Sequence, residues 1–237
     1  MLSINRQFHY KIFSGITLFL TACTSSEIGD SKDVAQDKIY QTYNISYNEN
    51  DEKLSATAVF RFAGSNGTTL VLNDPSKAAL DDEVIKVDSS KFRGAYYEVA
   101  KAAAQWYGKH QWRFTDMAKK TYTNEFSFDA FKWNNPPASA SKSKPLQLNF
   151  ITPSLDPNDY VEVSTINSDS AFSYTQGPLT VKPFSVIIPA EYLQKQKQPI
   201  LKLTATRVQY IRLNQNTAEG GEFIIRYSLK PIEVKLY

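Results

Sequence analysis

Two neighbouring runs of this chain alternate apolar and polar side chains with a period of two. Ile39, Tyr43, Ile45 and Tyr47 share one parity while Thr42, Asn44 and Ser46 take the other. After a polar break at 48–53 the alternation resumes in Leu54, Ala56, Ala58, Phe60 and Phe62. A period of two puts every second side chain on one face of an extended strand, so each run can bury one face and leave the other wet. A helix would scatter the same residues around its circumference. The pair reads as a β-hairpin, and a hairpin with one apolar face needs a second layer to cover it.

The rest of the chain supplies that layer in the same style. Gly64-Ser65-Asn66-Gly67 and Asn73-Asp74-Pro75-Ser76 are turns around a short strand at 68–72, and a further strand is expected at 84–87. In 94–108 the residues Tyr96, Val99, Ala100, Ala103, Trp106 and Tyr107 also fit helical spacing. Strand-like neighbours and the Tyr96-Tyr97 pair favour a strand to about residue 101. At 110–115 Trp112 and Phe114 share a face, at 121–131 Tyr122, Phe126 and Phe128 do, and 116–120 joins the two strands. Aromatics make up 13% of the residues. Together with many Thr, Val and Ile, they suit strands rather than helices.

The pattern breaks at 134–145, where Asn-Asn-Pro-Pro is followed by Ala, Ser and Lys with a closing Pro145. Such a segment offers few core side chains and two stiff ends, and reads as a linker. Strands then return at 146–151, 160–166, 171–175, 179–188, 200–213 and 222–237. In the last of these the apolar parity changes across Pro231, which suggests a bulge or an edge. The expectation is an all-β chain of two tandem antiparallel β-sandwich domains. The first, at 39–133, would be immunoglobulin-like, and the second would span 146–237.

Chemistry is sparse in this frame. No G-x-S-x-G, H-E-x-x-H or P-loop motif occurs, and His110 shares the parity of Trp112 and Phe114, which marks it as a structural residue. Nothing therefore marks a catalytic residue, a metal set or a cofactor site. The acidic turns Asp81-Asp82-Glu83 and Asp156-Pro157-Asn158-Asp159 read as solvated turns; either could offer oxygen ligands to Ca²⁺, though without EF-hand spacing, and a glycosidase needs only two carboxylates. Trp106 and Tyr107, beside Gly108 in an expected loop, form the candidate binding surface for a sugar face or a protein partner.

The first 23 residues set the expected location. Arg6 and Lys11 precede an apolar run at 12–20, and Leu20-Thr21-Ala22-Cys23 follows. This resembles the signal peptide and lipobox of a bacterial lipoprotein. The resemblance implies cleavage between Ala22 and Cys23, a diacylglyceryl thioether on Cys23 and acylation of the new amino group. The run at 12–20 is far shorter than the roughly 20 residues that span a bilayer. Residues 1–22 would be removed and 23–38 would be a lipidated, disordered tether of roughly 20 Å. Removing Arg6 and Lys11 from the 27 basic residues leaves 25 against 24 acidic ones. That near-neutral balance speaks against a nucleic-acid partner. The function expected is that of a non-enzymatic envelope protein, lipid-anchored to the outer membrane and facing the periplasm or the surface. It would bind an envelope protein or serve an assembly; alternatives are a glycan-binding lipoprotein and a carboxylate-dependent glycoside hydrolase.

Overall fold

The computed structural model describes residues 26–103, 106–153, 156, 158–166, 171–177 and 184–237. In chain order the strands are β1 (Ile28–Asp30), β2 (Ile39–Asn48), β3 (Lys53–Phe62), β4 (Thr68–Val71), β5 (Lys77–Leu80), β6 (Glu83–Ile85), β7 (Val87–Ser90), β8 (Gly94–Ala102), β9 (Gly108–Thr115) and β10 (Thr121–Phe128). There follow β11 (Lys132–Trp133), β12 (Ser139–Ala140), β13 (Leu146–Ile151), β14 (Tyr160–Thr165), β15 (Ser173–Gln176) and β16 (Phe184–Ile188). A short helix α1 (Ala190–Gln194) precedes β17 (Ile200–Tyr210), β18 (Gly221–Ser228) and β19 (Ile232–Leu236).

The expected hairpin forms from β2 and β3, with Tyr43 opposite Ala58 and Ile45 opposite Ala56. Each large side chain faces a small one across the ladder, and all four are fully buried. The ambiguous stretch is strand β8, paired with β3 from Lys53↔Ala102 to Ala58↔Tyr97. Pairing with an existing strand overrides the helical preference of its alanines, as tertiary context generally does.

Among the described residues the strands form three sheets. The large one runs β1-β4-β3-β2-β18-β17-β14-β15, with β8 on β3, β7 on β8, β19 on β17 and β12 on β19. Two smaller sheets, β10-β9-β5-β6 and β11-β13-β16, cover its inner face. Tyr43 stacks on Trp112 at 5.5 Å and Phe60 meets Phe114 at 4.6 Å with the rings tilted, which seats the four-stranded sheet. Phe131 meets Phe150 at 5.0 Å and Tyr227 at 6.1 Å, which seats the three-stranded one. Among the described residues one buried cluster runs from Ile39 to Leu236.

This pairing does not draw tandem sandwiches, nor an immunoglobulin-like unit bounded at residue 133. Strands β2 and β18 lie side by side in parallel from Gln41↔Gly221 to Asn48↔Ser228, so the two halves share one sheet. The segment 134–145 is tied into the fold: β12 pairs with β19, the Lys142 amide donates to the Tyr237 carbonyl (2.9 Å), and its ammonium donates to the Gln196 carbonyl (2.6 Å). Backbone pairing needs no particular side chain, which is why a Ser/Ala/Pro composition concealed it.

The expected tether also ends early. From Ile28 the chain pairs with β4, in parallel. Ser31 is fully buried and its hydroxyl accepts the Asn73 amide (2.9 Å), while the Gln36 side chain donates to the carbonyls of Ser31 and Val34 and accepts the Met117 amide (3.0 Å). Polar side chains hold this segment, so a scale of apolar content misses it. The parity change at Pro231 is a bulge: between Thr206↔Ser228 and Leu203↔Ile232, β17 advances three residues while its partner advances four.

Candidate functional site

The end of β8 turns into β9 at Trp106 and Tyr107, and here the side chains divide. Trp106 is 5% exposed, stacked on His110 at 4.1 Å and packed on Phe126 and Phe128. It belongs to the core and offers no open face, which corrects its place in the candidate binding surface. The Trp106 amide donates to the Ala103 carbonyl (3.0 Å), and the indole packs inward among His110, Phe126 and Phe128. Tyr107 is 44% exposed, with its ring stacked on Phe128 at 5.4 Å. Its hydroxyl shares a 2.9 Å hydrogen bond with that of Tyr227, and burial together with this bond pushes the Tyr227 phenol well up.

His110 sits at the end of the core-facing row. Its Nδ1 lies 2.5 Å from Asp81 Oδ2 and its Nε2 lies 3.0 Å from the Trp106 carbonyl. Asp81 Oδ1 accepts the Gln111 amide at 2.9 Å. Asp81 and Asp82 both adopt positive φ, +47° and +72°, in the two-residue turn between the paired Leu80 and Glu83. Such mirror-image turns suit the twist of a hairpin, and Asp tolerates them. The same turn aims Asp82 at Arg113 and lets Glu83 pair with Lys101 at 2.7 Å. Each carboxylate of the acidic triplet therefore meets a cationic or hydrogen-bond-donating partner. Both ring nitrogens of His110 face oxygen atoms, so the pair clips β9 to the turn between β5 and β6.

Beside the clip lies an open cleft of about 620 Å³, lined by Asp81, Lys109, Gln111, Glu125, Ser127 and Asn214 among others. Register explains the set, since Glu125↔Gln111 and Ser127↔Lys109 face each other across β9 and β10. Sequence reading missed this surface. Its only sequence signal was the parity opposite to Trp112, which belongs to many solvent-facing residues. The cleft offers charge of both signs and amide groups, a lining for a polar ligand or a partner's polar side chains.

Asp159, expected in a solvated turn or a Ca²⁺ loop, is buried. Its Oδ2 accepts from Arg207 Nε (3.1 Å) and Nη2 (2.5 Å), and Arg207 Nη1 donates to the Thr152 hydroxyl (2.6 Å). Both partners are 1% exposed. Asp156 accepts the amide and side-chain nitrogen of Asn158. Among the described residues no three His, Cys, Asp or Glu side chains gather to hold a metal ion. Ala22 and Cys23 lie outside the described residues. No family model matches the chain, and no curated protein is similar to it.

Proposed function

We propose that the chain is a non-enzymatic lipoprotein of the bacterial envelope, anchored through Cys23, whose all-β body binds a protein partner or serves an assembly. The observation that carries this reading is Leu20-Thr21-Ala22-Cys23, directly after a basic start and a short apolar run. Cys23 is the only cysteine of the chain and stands where a thioether anchor needs it. An anchor of two or three acyl chains is in practice permanent, whereas one chain holds only marginally. Thr24 supports outer-membrane placement, because Asp at that position retains such proteins in the inner membrane under the enterobacterial sorting rule.

Two observations favour a binding role over catalysis: His110 and Asp81 spend their polar atoms on each other and on backbone, and the cleft beside them is open and mixed in charge. A glycan-binding role through Trp106 and Tyr107 loses its larger ring to the core. The anchor is tested with Cys23→Ser. The unaltered protein should fractionate with membranes and the variant should not; a variant that stays with membranes contradicts the reading.

A further inference from the structure

The strands β7 and β8 form a hairpin whose last pair is Ser90↔Gly94, leaving Lys91, Phe92 and Arg93 at its tip. Phe92 is 95% exposed, while the residues around it are held firmly. The Arg93 amide donates to the Ser90 hydroxyl (3.1 Å), and the Arg93 guanidinium pairs with Glu98 (3.2 Å) and lies 3.8 Å over the Tyr96 ring. Gly94 has φ +70°, and a Cβ there would sit 2.2 Å from the Thr69 hydroxyl. The turn is thus closed by its own contacts, and it presents a phenyl ring to solvent. Lys91 has no ion-pair partner among the described residues.

A lone exposed apolar residue is ordinary. Here its neighbourhood gives it meaning, because the chain leaves the described fold at the same corner. The Thr69 hydroxyl donates to the Glu27 carbonyl (2.6 Å) and accepts the Ala95 amide (2.8 Å), so one side chain ties the first residues of the fold to the base of the tip. Ile28, paired with Thr69, is itself 50% exposed. Only Thr24, Ser25 and Ser26 separate Glu27 from Cys23. At about 3.6 Å per residue, a lipid on Cys23 lies within about 14 Å of Glu27.

We propose that this corner rests on the lipid surface, with Phe92 dipping into the headgroup–acyl boundary, Ile28 beside it and the Lys91 ammonium at the level of the phosphates. The inference rests on the lipid-anchor reading for its geometry. An aromatic ring at the boundary gains burial, and a neighbouring lysine reaches back to the anionic headgroups. The anchor would then fix orientation as well as location, turning β15, at the opposite end of the large sheet, away from the membrane.

Because Cys23 is consumed by its lipid, an introduced cysteine is the only free thiol. Phe92→Cys carrying a polarity-sensitive dye is compared with Ile187→Cys, an exposed site on β16 whose amide bonds to Gln176 of β15. The full-length protein is expressed and its mature form is placed with phosphatidylethanolamine–phosphatidylglycerol vesicles bearing spin-labelled lipid. Dye at 92 should shift to the blue and be quenched, and dye at 187 should do neither. If emission at 92 matches that at 187, or if both sites are quenched alike, the proposal falls. Fractionation of the native chain tests the anchor separately. Membrane-bound protein with an aqueous 92 overturns the tip alone. Soluble protein whose dye at 92, placed in a Cys23→Ser background, is still quenched by vesicles overturns the anchor alone, and the tip stands on its own affinity.

Discussion

Arg207 carries its charge on the inward parity of β17, among Leu201, Leu203 and Ala205. A guanidinium there is tolerable because Asp159 and Thr152 take its donors, and the cost of removing both charges from water is offset by that geometry. Removing one partner strands the other. Arg207→Leu should lower stability by about 3–5 kcal/mol, read from urea midpoints, whereas Arg207→Leu with Asp159→Leu should recover most of the loss. A double variant no better than the single would show that the pair does not act as a unit. Arg207 shares the inward parity of Leu203 and Ala205, but its partner arrives from a loop 48 residues away, and no local pattern encodes that. Trp106 teaches the same lesson in reverse: its loop position suggested exposure, and packing against His110, Phe126 and Phe128 holds it in the core.

At the scale of elements, alternation located the strands well because each strand's inner face is decided locally. Both β2 and β3, the disputed β8, and the bulge at Pro231 were legible for that reason. Segments held by side-chain amides and hydroxyls were not, as 28–38 shows. The loop between β17 and β18 is another such device. Asn214 and Gln215 accept the Glu125 and Thr123 amides (3.0 and 2.9 Å), while the Gln215 amide and carbonyl bond to Asn124 (3.1 and 3.0 Å). Strand β10 is the edge of its sheet, and these side chains occupy amides that would otherwise be free to pair with another chain. Asn214→Ala with Gln215→Ala should cost about 1–3 kcal/mol and raise self-association, seen by light scattering of the monomeric fraction. Unchanged stability and unchanged scattering would deny the loop that role.

For the whole molecule, the shared sheet decides how the halves behave. The β2–β18 pairing joins residues about 180 apart and is parallel, so neither half completes its large sheet without the other. Nothing in the composition of 134–145 could announce this, since the pairing depends on register between distant strands. Calorimetry of the mature chain should give one transition with matching calorimetric and van't Hoff enthalpies. Two separated transitions, or a folded fragment ending at residue 145, would restore the tandem arrangement. The proposed location and orientation rest on the other end of the chain, where β1 begins five residues after Cys23 in the sequence. The most direct measurement is the mass of the N-terminal peptide of the native protein. The account predicts a chain that begins at Cys23 and carries diacylglycerol on sulfur and an acyl group on nitrogen; a peptide with an unmodified Cys23, or one that begins at any other residue, would contradict it.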